Sequence, residues 1–323
     1  MIGALRRSPP AVIAALLVPG ALLWLMAHQV TARPGLLFWL GVIVLWALIW
    51  TGNDALSGLE VSSPSAERLR DLAVPAIFGA TLLLLWQLVV KGFGIPLVLL
   101  PAPSDIWARL ATSLPTLEAD FVQTFLRAVL PGWAAGSLLG FAVAILCDAW
   151  GFLRRGLLPL GNLFAALPIV GVAPIMVMWF GFDWQSKAAV VIIMTFFPML
   201  VNAVTGLQAA GRLERDLMRS YGAGRLATLV KLRLPAAMPF VFNALKINST
   251  LALIGAIVAE FFGTPIVGMG FRISTEVGRL GLDMVWAEIA IAAIAGSAFY
   301  AVIALVERAV TFWHPSYRPR KDR

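Results

Sequence analysis

Six cationic and two acidic side chains stand between Gly211 and Pro239, GRLERDLMRSYGAGRLATLVKLRLPAAMP, in a chain that is otherwise mostly apolar. Such a segment can pair its charges with another protein or with anionic headgroups. A second set, Asn243, Lys246, Asn248, Ser249, Thr250 and Glu260, sits inside the apolar run from Ala236 to Phe262. Polar groups there can hydrogen-bond a passing solute or a neighbouring helix. Other chemistry is scarce. The two His residues, His28 and His314, form no HExxH zinc pattern, and the single Cys147 allows no internal disulfide. None of the five Lys residues precedes Ser or Thr, which excludes a phosphate-binding GK[ST] loop. No cofactor or metal is expected, and any ATP used must be handled by another subunit.

The elements that position these residues follow from hydropathy. The chain has 323 residues, of which 60% are hydrophobic and 13% charged, with a mean hydropathy of +0.87. That balance excludes an ordinary soluble domain. Eight runs have about the 20 residues needed to cross roughly 30 Å of hydrocarbon. They lie at Pro10 to Val30, Pro34 to Trp50, Leu72 to Val90, Thr124 to Cys147, Gly156 to Gly181, Ala188 to Leu207, Ala236 to Phe262 and Met284 to Val310. Lipid offers no partner to an open backbone amide, and no run alternates as a barrel strand would, so each is expected to be a helix. The expected fold is all-α, a polytopic bundle of about eight spans.

Cation placement orients the bundle. With the N-terminus inside, seventeen of the 25 Lys and Arg residues fall on inner segments and seven on outer ones, Lys246 lying within a span. The bias places the basic stretch in the cytoplasm. The formal charge of +8 then reflects topology, and no nucleic-acid partner is expected. The first run, preceded by Arg6 and Arg7, lacks a small-residue cleavage site and reads as a retained helix.

The two leading helices form an extension, residues 1–65, bounded by the polar linker TGNDALSGLEVSSPSAERLRD. Residues 66–323 form the main membrane domain. Between the third and fourth runs, LLPAPS must be extended, with Ser104 able to cap a short helix whose Trp107, Leu110 and Ala111 lie on one side. That helix is expected along the outer surface.

Within the basic stretch, Leu213, Leu217 and Tyr221 recur every fourth residue on one helix face, and Arg212, Arg215, Asp216 and Arg219 take the other. Gly222-Ala-Gly224 interrupts the helix. A second short helix carries Leu226, Leu229, Val230 and Leu234, with Pro235 expected to end it and Pro239 to open the next span. Such a pair can rest on lipid headgroups, but its spacing carries a resemblance. D-L-M-R-S-Y-G from Asp216, nine residues, then Leu232-Arg-Leu234-Pro235, resembles the E-A-A-x-x-x-G-x(9)-I-x-L-P signature of the membrane subunits of binding-protein-dependent ABC importers. Gly222, Leu234 and Pro235 match, Leu232 replaces Ile, Asp216 replaces Glu, and Leu217-Met218 replace two Ala.

The resemblance covers roughly residues 72–310 and extends to LPIVGVAPIMVMWFGFDWQSKAAVVIIMTFFPMLVNAVTGL and AEFFGTPIVGMG, which look like the subfamily for nitrate, taurine, sulfonates and pyrimidine or flavin vitamin precursors. It implies a bacterial inner-membrane permease with both termini cytoplasmic, probing no chemistry of its own. It also implies a cytoplasmic ATPase subunit coupled through 211–235, an extracytoplasmic binding protein, and a permease dimer, read as a homodimer. Asp216, Arg219, Gly222, Leu232, Leu234 and Pro235 are the coupling residues so implied. The extra leading helices depart from the six-helix pattern. For the pathway, the residues themselves nominate Met176, Met178, Trp179, Phe196, Phe197, Asn243, Lys246, Asn248 and Glu260. Helices rich in Met and aromatics, loosened by Pro168, Gly171 and Pro174, would suit a flat ring. Helix-to-helix bonding is the competing role for the polar members, and core packing for the apolar ones. Arg272, Glu276, Arg279 and Asp283, beyond Glu260, read as solvated. A secondary transporter would need mid-membrane carboxylates, for which only Glu260 is available, and an intramembrane enzyme lacks a visible site.

Overall fold

A computed structural model describes residues 9–59, 63–165, 168–263 and 265–312. Every regular element among them is a helix, and seven helices are long and apolar enough to cross a membrane. The all-α polytopic bundle read from hydropathy is therefore observed. The termini that carry Arg6, Arg7, His314, Arg318, Arg320, Lys321 and Arg323 lie outside the described residues.

The chain forms two compact units. The first contains α1 (Pro9–Gln29), α2 (Leu36–Ser57), α3 (Pro64–Phe93), α4 (Pro103–Thr112) and the segment Leu280–Trp286. Its core is built from Val12, Leu16, Leu23, Val42, Ile49 and Leu88. Gly52 lets α1 approach α2, since a Cβ there would lie 2.9 Å from Leu16 Cδ2. In α4, Ile106 is buried while Trp107 is exposed. The helix begins at Pro103, so Ser104 lies in its first turn, where its hydroxyl accepts a 2.9 Å bond from Gln87 Nε2. Lys91 Nζ bonds Asp105 at 2.8 Å, tying α4 to α3.

The second unit contains α5 (Leu114–Ala149), α6 (Gly151–Ala165), α7 (Ile169–Phe180), α8 (Trp184–Gln208), α9 (Arg212–Ser220), α10 (Arg225–Glu260), α11 (Met269–Gly278) and the part of α12 (Leu282–Val310) from Ala287 onward. At its centre α5, α8 and α10 pack through Val129, Val191, Ala252 and Ala256, and through Ala144, Met199, Leu200 and Ala244. Lipid tails are as apolar as these side chains, so close van der Waals fit holds the helices together. Gly132, Gly136 and Gly140 supply that fit. A Cβ on Gly132 would meet Val191 at 2.7 Å, and one on Gly136 would overlap the Thr195 hydroxyl and the Ile192 carbonyl.

Prolines explain where helices break and where they continue. The run from Gly156 to Gly181 is two shorter helices, α6 and α7, with Pro168 extended at ψ 118° just before α7. The second short helix of the basic stretch, by contrast, does not stop at Pro235. It continues as α10 through a π-helical turn at Leu229–Arg233, in which Leu234 N bonds Leu229 O. Pro235 follows at the start of the regular helix. The α5 helix repeats this device, with a π-helical stretch at Val122–Val129 and Leu130 N bonded to Phe125 O just before Pro131. A bond that reaches back five residues shifts the hydrogen-bond ladder around a residue that has no N–H, so the proline can be absorbed without a break.

Candidate functional site

The basic stretch folds as the sequence suggests up to Gly222. Helix α9 ends in a paired-bond turn: Gly222 N bonds Arg219 O and Ala223 N bonds Met218 O, both at 2.9 Å. Gly222 takes φ 68°, the left-handed conformation that this turn requires and that a side chain disfavours. Gly224 then stands before α10, its carbonyl accepting Thr228 N at 3.0 Å. None of the side chains of α9 is buried. Leu213, Leu217 and Tyr221 are 85%, 55% and 80% exposed, and Leu226 and Val230 on α10 are exposed beside them. An apolar stripe on a short charged helix, left without a cover, is a surface shaped to be buried against something else.

Asp216 and Arg219 pair at 3.4 Å on the exposed face of α9, a contact worth little by itself. Leu232, Leu234 and Pro235 are half-buried where α10 joins the bundle. Arg233, between them, was not singled out by the sequence. Its Nε donates to Leu207 O at 2.9 Å, and its two terminal nitrogens grip the Asp148 carboxylate in a bidentate pair. This fork joins the start of α10 to the ends of α8 and α5, so movement of the exposed element is transmitted to three central helices. The only sequence signal was that both residues are charges at the ends of apolar runs.

Inside the bundle the polar residues of α10 divide by face. Asn248 is fully buried and donates to Ser137 Oγ at 3.0 Å and Thr195 O at 2.8 Å, stitching α5, α8 and α10 together. Lys246 Nζ bonds Glu307 of α12 at 2.7 Å, and Ser249 bonds its own helix. Asn243, Ile247, Thr250 and Ile254 form an open stripe, each exposed. Of the apolar candidates, Met176 is buried with Ala173, Val190 and Ala259, and Phe196 and Phe197 pack edge-on at 4.9 Å against the core. Met178 and Trp179 are 82% and 71% exposed.

At the end of the bundle opposite the basic stretch, Glu260 caps α11. Its carboxylate accepts Gly270 N at 2.6 Å and Thr124 Oγ1 at 2.8 Å. Asp120 accepts Gly268 N at 2.6 Å, and Thr124 Oγ1 accepts Met269 N at 2.8 Å. Three amides that a helix start leaves open are thus satisfied by side chains of α5 and α10, with negative charge at the positive end of the helix. Arg272 does not stay solvated as the sequence suggests. Its Nε bonds Asp120 Oδ2 at 2.8 Å, and this bond holds the guanidinium above its usual pKa. Arg279 pairs with Glu276, and Asp283 with Arg109 in the first unit. Lys187, buried, donates to the carbonyls of Phe182 and Gly263. Asp183 is held below the ordinary carboxylate range, first by the Gln123 side chain and then by the Trp184 amide. Asp120 and Thr124 lie in an unremarkable stretch of sequence, and only the fold reveals their role. Among the described residues no group of His, Cys, Asp and Glu is placed to hold a metal ion.

Residues 136–318 match the family described as binding-protein-dependent transport system inner membrane component. The chain is 30% identical to the formylaminopyrimidine transport permease protein ThiX of Halalkalibacterium halodurans, over 74% of this chain and 95% of that protein. It is 29% identical to the riboflavin transport system permease protein RibX of Chloroflexus aurantiacus, over 79% and 96%. With the taurine transport system permease protein TauC of Escherichia coli the identity is 27%, over 73% and 87%. With its apolar spanning helices, its glycine-ended α9 and this match over more than half its length, the chain belongs to the multi-pass membrane permeases of binding-protein-dependent ABC import systems.

Proposed function

We propose that this chain is the pathway-forming subunit of an importer whose ATP hydrolysis takes place in a separate cytoplasmic subunit. The uncovered stripe of Leu213, Leu217 and Tyr221 on α9 carries this reading. A helix with no buried side chain gains nothing from its own bundle, and burying three large apolar groups against a partner would contribute about 1.5–3 kcal/mol each. Asp216 and Arg219 add charges at the rim, Gly222 sets the turn, and Leu232, Leu234 and Pro235 lead the motion into α10. With the basic stretch inside, both termini are cytoplasmic in the bacterial inner membrane, and Arg279 lies on the outer side, where a binding protein delivers the ligand. Two copies of the chain form the pathway as a homodimer. The extension of residues 1–65 stands apart from this machinery in residues 66–323.

The pathway is assigned to the residues that the bundle leaves open, Asn243 with Ile247, Thr250 and Ile254, and Met178 with Trp179. Asn248, Lys246, Glu260, Met176, Phe196 and Phe197 position them from behind. An aromatic and thioether lining with one amide favours a flat heterocycle, the pyrimidine or flavin precursor class, over a sulfonate, taurine or nitrate. ThiX and RibX carry names of that class, while TauC names a small sulfonate. The test is ATPase activity of the assembled complex in vesicles, measured with the binding protein and each ligand in turn. Stimulation by a formylaminopyrimidine or a flavin is expected. Stimulation by taurine alone would reject the ring assignment, and full ligand-stimulated activity of a Leu217→Arg complex would reject the coupling surface.

A further inference from the structure

The extension that the family pattern does not explain contains a site of its own. On α2, Trp46, Trp50, Asn53 and Asp54 recur at intervals of three or four residues, so they share one helix face. On α3, Phe78 and Thr81 do the same. The two faces line a groove of about 550 Å³ within the first unit, inside the range of about 300–1,000 Å³ of small-molecule sites. Its wall is aromatic: Trp46 and Trp50 meet edge-on with centroids 5.8 Å apart, and Trp50 and Phe78 at 6.0 Å.

Its polar end has one sign. Asn53 Nδ2 donates to Val74 O at 3.2 Å, joining the helices, while its Oδ1 is shielded from solvent and has no donor. The Asp54 carboxylate lies beside it on the lining, and no Lys or Arg contributes to the groove. The ligand must therefore bring hydrogen-bond donors and positive charge, which the ring faces also attract. An anionic headgroup would find no counter-charge there.

Depth identifies the source. The polar residues close α2 after an apolar run, at the level where a span meets headgroups. Trp46 lies two turns deeper, roughly 11 Å below Asn53 at 1.5 Å per residue. A groove with acceptors at the interface and aromatic rings within the hydrocarbon has the layout of an amphiphile. We propose that the groove between α2 and α3 is a binding site for a membrane lipid with a primary ammonium headgroup, phosphatidylethanolamine, its ammonium at Asn53 and Asp54 and its glycerol and acyl start along Trp50, Trp46 and Phe78.

Native mass spectrometry of the full-length protein in detergent tests this, with palmitoyl-oleoyl phosphatidylethanolamine, phosphatidylcholine and phosphatidylglycerol titrated separately. Retention of phosphatidylethanolamine is expected to exceed that of phosphatidylcholine, which cannot donate a hydrogen bond, and that of phosphatidylglycerol, which is anionic. Trp50→Ala and Asn53→Leu should each weaken it about tenfold, the size of one cation–π contact or one bond to a charged donor. Both are checked for native helicity, and Asn53→Asp should retain the preference. Equal retention of the three lipids, or variants that bind as the parent does, would show ordinary annular lipid and overturn the site. Displacement by free ethanolamine at matched concentration would overturn the lipid as its occupant.

Discussion

Gly222 has φ 68° and nothing within 4 Å of the place where a Cβ would sit. A side chain there meets no neighbour, so the cost of replacement is in the backbone alone, about 1–2 kcal/mol for a residue with a Cβ in the left-handed region. Gly222→Val is expected to deform the turn between α9 and α10 and abolish ligand-stimulated ATPase activity of the complex at unchanged membrane level. Gly222→Asn should keep most of it, because Asn tolerates that conformation. Unaltered stimulation with Val would refute the requirement for this turn. Glycine at this spacing could be recognised in the chain because its reason is local. Arg233 could not, since its partner Asp148 is 85 residues away and nothing in either neighbourhood predicts the other. Glu260 shows the same limit: a lone acid in an apolar run suggests a pathway, whereas the fold occupies it with the amide of Gly270 and the hydroxyl of Thr124.

At the scale of elements, the central contact is that of α5 with α8. Glycines four residues apart put Gly132, Gly136 and Gly140 on one face, and the facing backbone of α8 comes close enough to exclude a Cβ. Gly136→Leu must separate the two helices and disturb the Thr195 and Asn248 bonds beside it. A loss of about 3 kcal/mol is expected, read as a lower midpoint of thermal unfolding in detergent. Gly156→Leu in α6, where a Cβ has nothing within 4 Å, serves as the comparison and should leave the midpoint nearly unchanged. Equal midpoints for the two variants would mean that α5 and α8 do not depend on this approach. The π-helical turns belong to the same scale. A proline in a string of residues reads as a stop, and Pro168 is one, but Pro131 and Pro235 are passed because the turn before each re-registers the hydrogen bonds. Tertiary packing of a 36-residue span on its neighbours decides between the outcomes.

For the whole molecule, the charge bias commits to one orientation. In a Cys147→Ser background, Leu213→Cys should react with a membrane-impermeant maleimide only when the cytoplasmic face is open. Arg279→Cys should react only from the other face, both positions being well exposed. Reaction of both from one side would refute the topology. Composition alone determined that the chain is a helical membrane protein, because lipid leaves the backbone no other way to satisfy its amides. The motif from Asp216 to Pro235 determined the family, because its glycine, proline and spacing are local requirements of a turn. Only the tertiary structure decided which polar residues brace the bundle and which stay open, and that the α2–α3 faces meet as an aromatic groove. Those outcomes depend on partners brought together from distant parts of the chain, and a hydrogen bond between helices leaves no periodic trace in either one.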